Sequence, residues 1–251
     1  MPRYDFSSPR LYLDTSLGEG TRVALDASQA NYLGNVLRRK AGDSVLVFNG
    51  RDGEWRAILG GSGKRGLALS IDTQSRAQTS ALDLHYLFAP LKHARLDYMA
   101  QKAVEMGASR LQPIMTRHGQ VARLNLERMR ANAIEAAEQC GILTLPEIGA
   151  PIALDQMIVE RDPARLLVFC DEEAEVTDPV AALTQARGRA AGPPPLAVLI
   201  GPEGGFAPEE RAALLALPNT VRLALGPRIL RADTAAVAAL ALVGAVLGDW
   251  R

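Results

Sequence analysis

The sequence predicts an α/β protein in two parts, a small β-barrel followed by a mostly parallel sheet with helices on its faces. Two observations support this prediction. In the first third of the 251 residues, short apolar runs are separated by tight-turn pairs such as Asn49-Gly50 and Asp52-Gly53, a pattern typical of hairpins. From about Leu82 onwards, apolar runs alternate with longer amphipathic stretches, which indicates strand–helix–strand units and a parallel sheet.

The predicted barrel spans residues 1–75. Its expected strands are Val45–Phe48, Glu54–Leu59 and Leu67–Ile71, with one short helix around Ser28–Leu37. The turn-forming triplet Ala41-Gly42-Asp43 precedes the first of these strands. We expect the glycine-rich stretch 60–66 to form a loop.

The second predicted domain spans residues 80–251. Its expected strands are Leu84–Phe88, Leu111–Met115, Leu166–Cys170, Ala197–Ile200 and Val221–Leu225. Its expected helices are Arg95–Met106, Asn125–Cys140, one that begins at Pro208, and Ala232–Leu247. Gly107 and Gly141 follow the first two helices, as expected of C-terminal stops, and Pro208 occupies a favourable first helical position.

Composition and charge exclude several classes of protein. With 48% apolar and 22% charged residues, the chain can bury a core and is not disordered. Net charge is zero, although residues 1–80 hold 11 Lys/Arg against 8 Asp/Glu, a weak indication of an anionic partner for the first domain.

Cys140 and Cys170 imply no disulfide framework, which favours a reducing compartment. The first ten residues lack a secretory signal, and the apolar stretch Thr234–Gly248 is shorter than the roughly 20 residues of a membrane span. We therefore expect a soluble, cytoplasmic protein with no membrane association.

The sequence does not match the motifs of three familiar types of functional site. The stretch 61–65, GSGKR, resembles a phosphate-binding loop, but Ile58 and Arg65 stand where that motif needs Gly and Ser or Thr. The three histidines are scattered, and neither cysteine has metal-ligand spacing, so we expect no metal site. No Gly-x-Ser-x-Gly elbow is present to anchor a hydrolase triad.

One segment with the character of a binding loop runs from Leu199 to Phe206 and has the sequence LIGPEGGF. It follows a predicted buried strand and precedes a predicted helix, the place where open α/β sheets bind ligands. Its glycines permit close approach of a ligand to the backbone. The alternative is an ordinary strand-to-helix turn, but Glu203 favours a ligand with positive charge or hydrogen-bond donors.

A second such segment, Leu223 to Ala235, has the sequence LALGPRILRADTA. It also follows a strand and opens a helix. Asp233 or Thr234 could simply cap that helix. Arg228 and Arg231, set among apolar residues, fit better as anion contacts in a lined pocket.

The strings LIGPEGG and LGPRILRADTA, in this order and spacing, resemble the SPOUT superfamily, and specifically the RsmE family of 16S ribosomal RNA uridine N3-methyltransferases. Further matching stretches are LGNVLR at 33–38, QKAVEMG at 101–107, EAAEQCG at 135–141 and PEI at 146–148. The chain departs from the family pattern at Asp233, where Glu is usual, and at Ile142-Leu143-Thr144, where an arginine is common.

This resemblance implies a fold and a cofactor. The fold is an N-terminal PUA-like β-barrel followed by a SPOUT α/β domain with a trefoil knot, which nothing in the sequence periodicity indicates. The cofactor is S-adenosylmethionine, bound in the knot. Carried over position by position, the residues expected around it are Leu199, Gly201, Leu225, Gly226, Leu230 and Ala235. The resemblance also implies a homodimer, and the almost entirely apolar last helix favours one because it needs cover on every side.

The implied reaction is methylation of N3 of a specific uridine in 16S RNA of the small ribosomal subunit. A sulfonium donor needs no metal, so catalysis depends mainly on alignment. Arg231, and with it Arg228, would stabilise the anion that develops on the uracil oxygens. Glu203 or Asp233 would accept the N3 proton, an assignment that the sequence leaves open.

The substrate RNA is expected to dock on the first domain, where the basic run Arg38, Arg39 and Lys40 lies. Three alternatives stay open at this point. One is a SPOUT methyltransferase that acts on another RNA or another atom. Another is a dinucleotide enzyme, although Gly-x-Gly-x-x-Gly and its acidic partner are missing. The third is an RNA-binding protein without catalytic activity, which would have no need of two pocket-forming loops.

Overall fold

The structure, a computed structural model, describes residues 5, 8–61, 66–121, 123–175, 178–188 and 192–250. Residues 62–65 of the phosphate-loop-like stretch lie outside them. The chain divides into two compact units, Met1–Ser80 with Ala137–Leu145, and Ala81–Ala136 with Pro146–Arg251. The first unit thus includes a short segment from the middle of the chain as well as the predicted barrel.

The first unit is built on a five-stranded sheet. Its elements are β1 (Arg10–Tyr12), β2 (Arg22–Ala24), α1 (Ala27–Asn31), a π-helical turn (Tyr32–Val36), β3 (Ser44–Phe48), β4 (Glu54–Gly60) and β5 (Ala68–Arg76). The strand order is β1-β3-β4-β5-β2, with β1 parallel to β3 and the other pairs antiparallel. The three predicted strands and the helix are confirmed, whereas β1 and β2, each three residues long, were not predicted.

Local chemistry fixes these elements. The Asp26 side chain accepts a hydrogen bond from Gln29 N, and the Gln29 side chain accepts one from Asp26 N, so α1 begins with a capping box. Gly53 has a φ of +81°, and a Cβ there would lie 2.4 Å from the Arg76 carbonyl oxygen. Only glycine therefore fits the tight turn before β4.

A buried ion-pair network lies beside the core of this unit. Arg10 and Glu54 have side chains only 4% and 2% exposed and pair at 2.8 Å, and Arg76 pairs with the same carboxylate at 2.6 Å. Burial would raise the pKa of Glu54, but the hydrogen bonds from Arg76 and Arg10 outweigh it and hold that pKa below its usual range. Arg10 also donates to the carbonyl oxygens of Ala137 and Ile142. The arginines thus hold segment 137–145 within the unit.

The second unit is built on a parallel sheet. Its strands are β6 (Leu84–Phe88), β7 (Arg110–Met115), β8 (Glu147–Ile148), β9 (Ile152–Ala153), β10 (Leu166–Cys170), β11 (Leu196–Ile200) and β12 (Thr220–Leu223). Its helices are α2 (His93–Glu105), α3 (Leu126–Cys140, whose last four residues belong to the first unit), α4 (Leu154–Glu160), α5 (Pro179–Arg187), α6 (Pro208–Leu215) and α7 (Ala232–Val246). The strand order is β12-β10-β11-β6-β7-β8, with β9 also paired to β7, and every pair described is parallel.

One prediction about the second unit was wrong in detail, and one of the alternatives left open by the sequence is contradicted. The last strand was expected to reach Leu225, but β12 ends at Leu223, and Ala224 and Leu225 belong to the following loop. Neither Asp233 nor Thr234 caps α7. The N-cap position is Arg231, without a side-chain cap, and the Asp233 carboxylate instead accepts a hydrogen bond from Thr234 N at 2.9 Å.

Helix α7 is buried along one face only. Its buried residues are Ala232, Ala236, Ala239, Leu240, Val243 and Gly244. Val237, Ala238, Ala241 and Leu242 are only partly covered by the chain itself. Within the described part of the chain, no helix is long and apolar enough to cross a membrane.

Candidate active site

A cavity of the second unit lies at the carboxyl ends of three adjacent strands, β12, β10 and β11. It has a volume of about 530 Å³. Its walls are residues 170–173 after β10, most of 200–206 after β11, and 223–232 after β12, with Arg211 and Ala235. Parallel strands end at the same edge of a sheet, so the two sequence-predicted loops meet there. We refer to this space as the glycine-loop cavity.

The loop after β11 is tightly constrained. A Cβ on Gly201 would lie 2.5 Å from the Phe206 ring, which itself packs edge-on against Phe169 with centroids 5.4 Å apart. Gly205 has a φ of +69°, a conformation that favours glycine. Glu203 pairs with Arg95 of α2, and both side chains are about 40% exposed.

The loop after β11 is also contacted by His118, which lies in the segment after β7. The Nδ1 atom of His118 lies 3.2 Å from the carbonyl oxygens of both Gly204 and Gly205. Carbonyls only accept, so the tautomer that fits carries its proton on Nδ1. The loop is therefore fixed by side chains from two other elements.

The loop after β12 presents two arginines whose guanidinium groups have no partner among the described residues. Gly226 has a φ of +95°, and a Cβ there would meet nothing within 4 Å, so conformation rather than crowding requires glycine. Arg228 and Arg231 line the cavity, and within the described residues their guanidinium groups make no hydrogen bond or ion pair. Between them, Ile229 is 92% exposed.

A third wall, which the sequence analysis missed, is centred on Asp171. Its buried carboxylate, 3% exposed, accepts bonds from Arg211 at 2.9 Å and from Arg222 at 2.8 Å. Burial would raise the pKa of Asp171, but the two arginines outweigh it and lower that pKa. The available signal was the acidic triplet 171–173, which directly follows a predicted strand.

Cys170 also lines the cavity. Burial raises the pKa of its thiol to about 12, which favours the protonated thiol near neutral pH. A protonated thiol is a poor nucleophile, which argues against covalent catalysis through Cys170. Among the residues that the structure describes, no group of His, Cys, Asp or Glu side chains is arranged to hold a metal ion.

Most of the sequence-predicted site residues come together in the glycine-loop cavity. Those that line it are Gly201, Glu203, Leu225, Gly226, Arg228, Leu230, Arg231 and Ala235. Leu199 does not line it. Leu199 is fully buried in the hydrophobic core with Leu167 and Phe169, because alternate residues of β11 face opposite sides of the sheet.

The predicted RNA-contacting run lies in the first unit, directly after the π-helical turn. Arg38 and Lys40 are exposed, whereas Arg39 is half-buried. The Nε atom of Arg39 is buried, with no hydrogen-bond partner among the described residues. Arg39 is therefore less available to a ligand than its two neighbours.

The charged groups around the glycine-loop cavity are mostly paired with one another. Four carboxylates and three arginines line it. Arg211 binds Asp171 and Glu173, and Arg95 binds Glu203. Glu172 has no such partner within the described part of the chain. Within the described part of the chain, the cavity therefore offers a ligand one carboxylate and two arginines, those of the β12 loop, that are not paired with other side chains.

Comparison with known proteins gives a consistent result. The sequence profile of the RNA methyltransferase domain matches residues 78–244, and that of the RNA methyltransferase PUA domain matches residues 25–72. The ribosomal RNA small subunit methyltransferase E of Rickettsia conorii is 29% identical over 93% of this chain and 94% of its own length. The protein of the same name from Synechocystis is 31% identical over 90% of this chain and 73% of its own length.

Solved structures agree with the sequence comparison. Ribosomal RNA small subunit methyltransferase E from Neisseria gonorrhoeae, bound to S-adenosylmethionine, superposes with a TM-score of 0.84 at 26% identity, covering 97% of this chain and all of that one. A Legionella pneumophila protein with bound S-adenosylmethionine gives a TM-score of 0.81 at 28% identity, covering 95% and 97%. The predicted fold class, a SPOUT-type α/β domain after a PUA-like domain, is confirmed. The chain belongs to the RNA methyltransferase family that includes the ribosomal RNA small subunit methyltransferase E proteins.

Proposed function

We propose that this protein transfers the methyl group of S-adenosylmethionine to N3 of a specific uridine in 16S RNA of the small ribosomal subunit. The observation that carries the proposal is the glycine-loop cavity, where the two family-like loops form one pocket at the carboxyl edge of the sheet. Curated relatives named for small-subunit ribosomal RNA methylation support the substrate class. The alternative is a SPOUT methyltransferase acting on another RNA or another atom.

The cavity residues fit S-adenosylmethionine. At about 530 Å³ the cavity is in the usual size range of small-molecule sites. Gly201, Gly226 and Leu230 would line the cofactor site, with Leu225 and Ala235, and the open space beside Gly226 leaves its backbone accessible. When bound, the cofactor supplies an electrophilic methyl group on a sulfonium. The unpaired carboxylate of Glu172 suits a ligand that carries positive charge.

Arg231 and Arg228 would stabilise the uracil anion. Deprotonation of N3 spreads negative charge over the ring oxygens, and a guanidinium offers donors in a planar arrangement that matches such oxygens. Neither arginine is occupied by a carboxylate of the described chain, so both can bind a substrate anion. A preorganised donor of this kind lowers the barrier rather than merely tightening binding.

Proton acceptance is assigned to Glu203 or Asp233. Arg95 fixes the position of the Glu203 carboxylate at the cavity wall. Asp233 lies in the first turn of α7, two residues after Arg231. Either carboxylate would have to approach the N3 proton to hydrogen-bond distance.

We further propose a cytoplasmic homodimer whose α/β domain has a trefoil knot. The apolar face of α7 that the chain leaves partly uncovered supports dimerisation, since a helix apolar all round needs cover on each side. Its small residues allow two backbones to approach closely. Sedimentation velocity at micromolar concentration should show the dimer mass, and a strictly monomeric mass would contradict this part of the proposal.

The reaction is tested by incubating the purified protein, S-adenosylmethionine and EDTA with unmodified 16S RNA and, separately, with small subunits. Nuclease digestion and mass spectrometry then locate the methyl group. A single N3-methyluridine in either substrate is the expected result. A methyl group on another atom or another RNA favours the alternative. RNA binding without any methyl transfer contradicts an enzymatic function.

A further inference from the structure

A second cavity in the same unit differs in character from the glycine-loop cavity. It has a volume of about 440 Å³ and lies between the N-terminal parts of α2 and α3, closed by segments 120–121 and 123–125. Its charged residues are Lys92, Arg123, Arg128 and Asp97. We refer to it as the cationic pocket.

The single carboxylate of the cationic pocket is already engaged. Asp97 accepts a bond from Arg128 Nε at 2.9 Å and one from Asn132 Nδ2 at 2.8 Å. This contact orients the Arg128 guanidinium while leaving part of it exposed. Lys92 and Arg123 are exposed, and their side chains make no hydrogen bond or ion pair within the described residues. The pocket therefore presents two uncompensated positive charges to an anionic ligand.

The rest of the wall is apolar, apart from a few amide side chains. Leu96, Val121 and Met129 contribute apolar surface, and Met129 is only 2% exposed. Gln120 carries an amide that can donate to and accept from a base edge. An apolar surface for a ring, cations for a phosphate and an amide for the ring edge together match a nucleotide.

Two of the three parts that form the cationic pocket, α2 and the segment after β7, also contact the loop of the glycine-loop cavity. Helix α2 contributes Leu96 to the pocket and, one residue earlier, Arg95 to the pair with Glu203. The segment after β7 contributes Gln120 to the pocket and, two residues earlier, His118 to the contacts with Gly204 and Gly205. These two walls of the pocket therefore lead directly to the proposed active site.

We infer that the cationic pocket binds a nucleotide of the RNA strand next to the uridine that is methylated. RNA modified at a base is usually held as a single strand with its bases unstacked, and flanking nucleotides then need sites of their own. Lys92, Arg123 and Arg128 bind the phosphate, and the base packs on the apolar wall. This inference rests on the proposed RNA methylation.

The test compares two variants with the same loss of charge. The double variant Lys92→Ala/Arg123→Ala removes the two uncompensated cations of the pocket. The control, Arg130→Ala/Arg187→Ala, removes two arginines of α3 and α5 that do not line either cavity. Fluorescence anisotropy measures the Kd of a labelled single-stranded oligouridylate of about ten nucleotides over a range of salt concentrations. Isothermal titration measures the Kd of S-adenosylmethionine.

The pocket variant should bind the RNA roughly tenfold to a hundredfold more weakly, as when one or two charge-assisted hydrogen bonds are lost. Its salt dependence should flatten by about 0.7 for each phosphate contact removed. The control variant should bind RNA nearly as the wild type does, and cofactor affinity should stay the same in both.

If the wild type binds both RNA and cofactor, equal RNA affinity in the two variants would overturn this inference and leave the proposed function standing. A pocket variant that changes oligomeric state on sedimentation, with unchanged RNA affinity, would also overturn it and assign the pocket to an interface between copies. A wild type that binds neither RNA nor S-adenosylmethionine contradicts the proposed function first, and the inference falls with it.

Discussion

The glycine-loop cavity and the cationic pocket both lie in the second unit, yet their charges differ. The glycine-loop cavity has four carboxylates against three arginines, whereas the cationic pocket has one carboxylate against three cations. An electrophilic sulfonium and an RNA strand make opposite electrostatic demands on a protein. The difference supports the proposed division of labour, in which the cofactor binds in the first cavity and RNA in the second.

Within the glycine-loop cavity itself, acidic and basic side chains also lie on different walls. Its carboxylates are mainly on the walls after β10 and β11, while the unpaired Arg228 and Arg231 are on the loop after β12. The cationic methyl donor and the anionic uracil can thus be held against different walls. Since the arginines have no carboxylate partner in the described chain, their positive charge remains available to the substrate.

The largest expected effect is on Arg231. Arg231→Ala should lower the single-turnover rate by roughly two to three orders of magnitude, as when a charge-stabilising donor is removed. S-adenosylmethionine affinity should change much less, because the stabilised anion appears only as N3 is deprotonated. Arg231→Lys should restore only part of the rate, since an ammonium lacks the guanidinium geometry.

Single-turnover assays at saturating cofactor, with melting temperatures as a control, decide this point. A wild-type rate in Arg231→Ala would show that Arg231 takes no part in the reaction. Loss of cofactor binding together with early melting would instead give it a structural role. In either case the contrast between the β12 loop and the other walls would lose its functional meaning.

A second prediction concerns Gly201. In Gly201→Ala the new methyl group would lie 2.5 Å from the Phe206 ring, so the loop after β11 must shift. Overpacking of this kind costs roughly 1–3 kcal/mol of stability, and cofactor affinity should fall with it. Gly192→Ala is the matched control, because a Cβ there meets nothing within 4 Å. Calorimetry should show equal cofactor binding in the two variants only if the glycine loop lies outside the cofactor site.

Asp171 tests the buried network beneath the cavity. Asp171→Asn should destabilise the protein by about 1–3 kcal/mol near neutral pH, because Arg211 and Arg222 lose their shared anion. The folded-state pKa of Asp171 is lowered from 3.8, so its contribution is present above pH 3.8 and is lost as the pH falls below that value. The stability difference between wild type and variant should therefore shrink in acid. A difference in denaturant midpoint that is independent of pH would contradict this account.

The smallest effect is expected in the first unit. Replacing Arg38, Arg39 and Lys40 by Ala should weaken RNA binding several-fold and flatten its salt dependence, because fewer counterions are released. Arg38 and Lys40 should account for most of the loss, since Arg39 is half-buried. Anisotropy titrations would give these values. Equal losses of RNA and cofactor affinity would indicate misfolding and not a docking surface.

The sequence predicted the two loops of the glycine-loop cavity but not its third wall around Asp171. Both loops were found because each places glycines or Gly-Pro directly after an apolar strand, a local pattern. Asp171 was missed because its role depends on β10 lying between β12 and β11, and strand order in a parallel sheet is a long-range property. The pairing of Asp171 with Arg211 and Arg222 joins residues about 40 and 50 positions apart, beyond the reach of local periodicity.

The features that the sequence did not predict have similar physical causes. Leu199 was assigned to the cofactor pocket by resemblance; its side chain lies in the core because side chains alternate along β11, and its contact with the cofactor stays a prediction. Strands β1, β2, β8 and β9 have only two or three residues each, too few for a periodic pattern. The cationic pocket is formed by α2, α3 and the segment after β7, so no single stretch of sequence predicts it.

The most direct test of the central claim is a calorimetric titration of the purified wild-type protein with S-adenosylmethionine in EDTA. The glycine-loop cavity predicts saturable binding without any metal, reduced in Gly201→Ala and nearly unchanged in Lys92→Ala/Arg123→Ala. Absence of binding, binding only with a divalent ion, or a loss confined to the cationic-pocket variant would contradict the account.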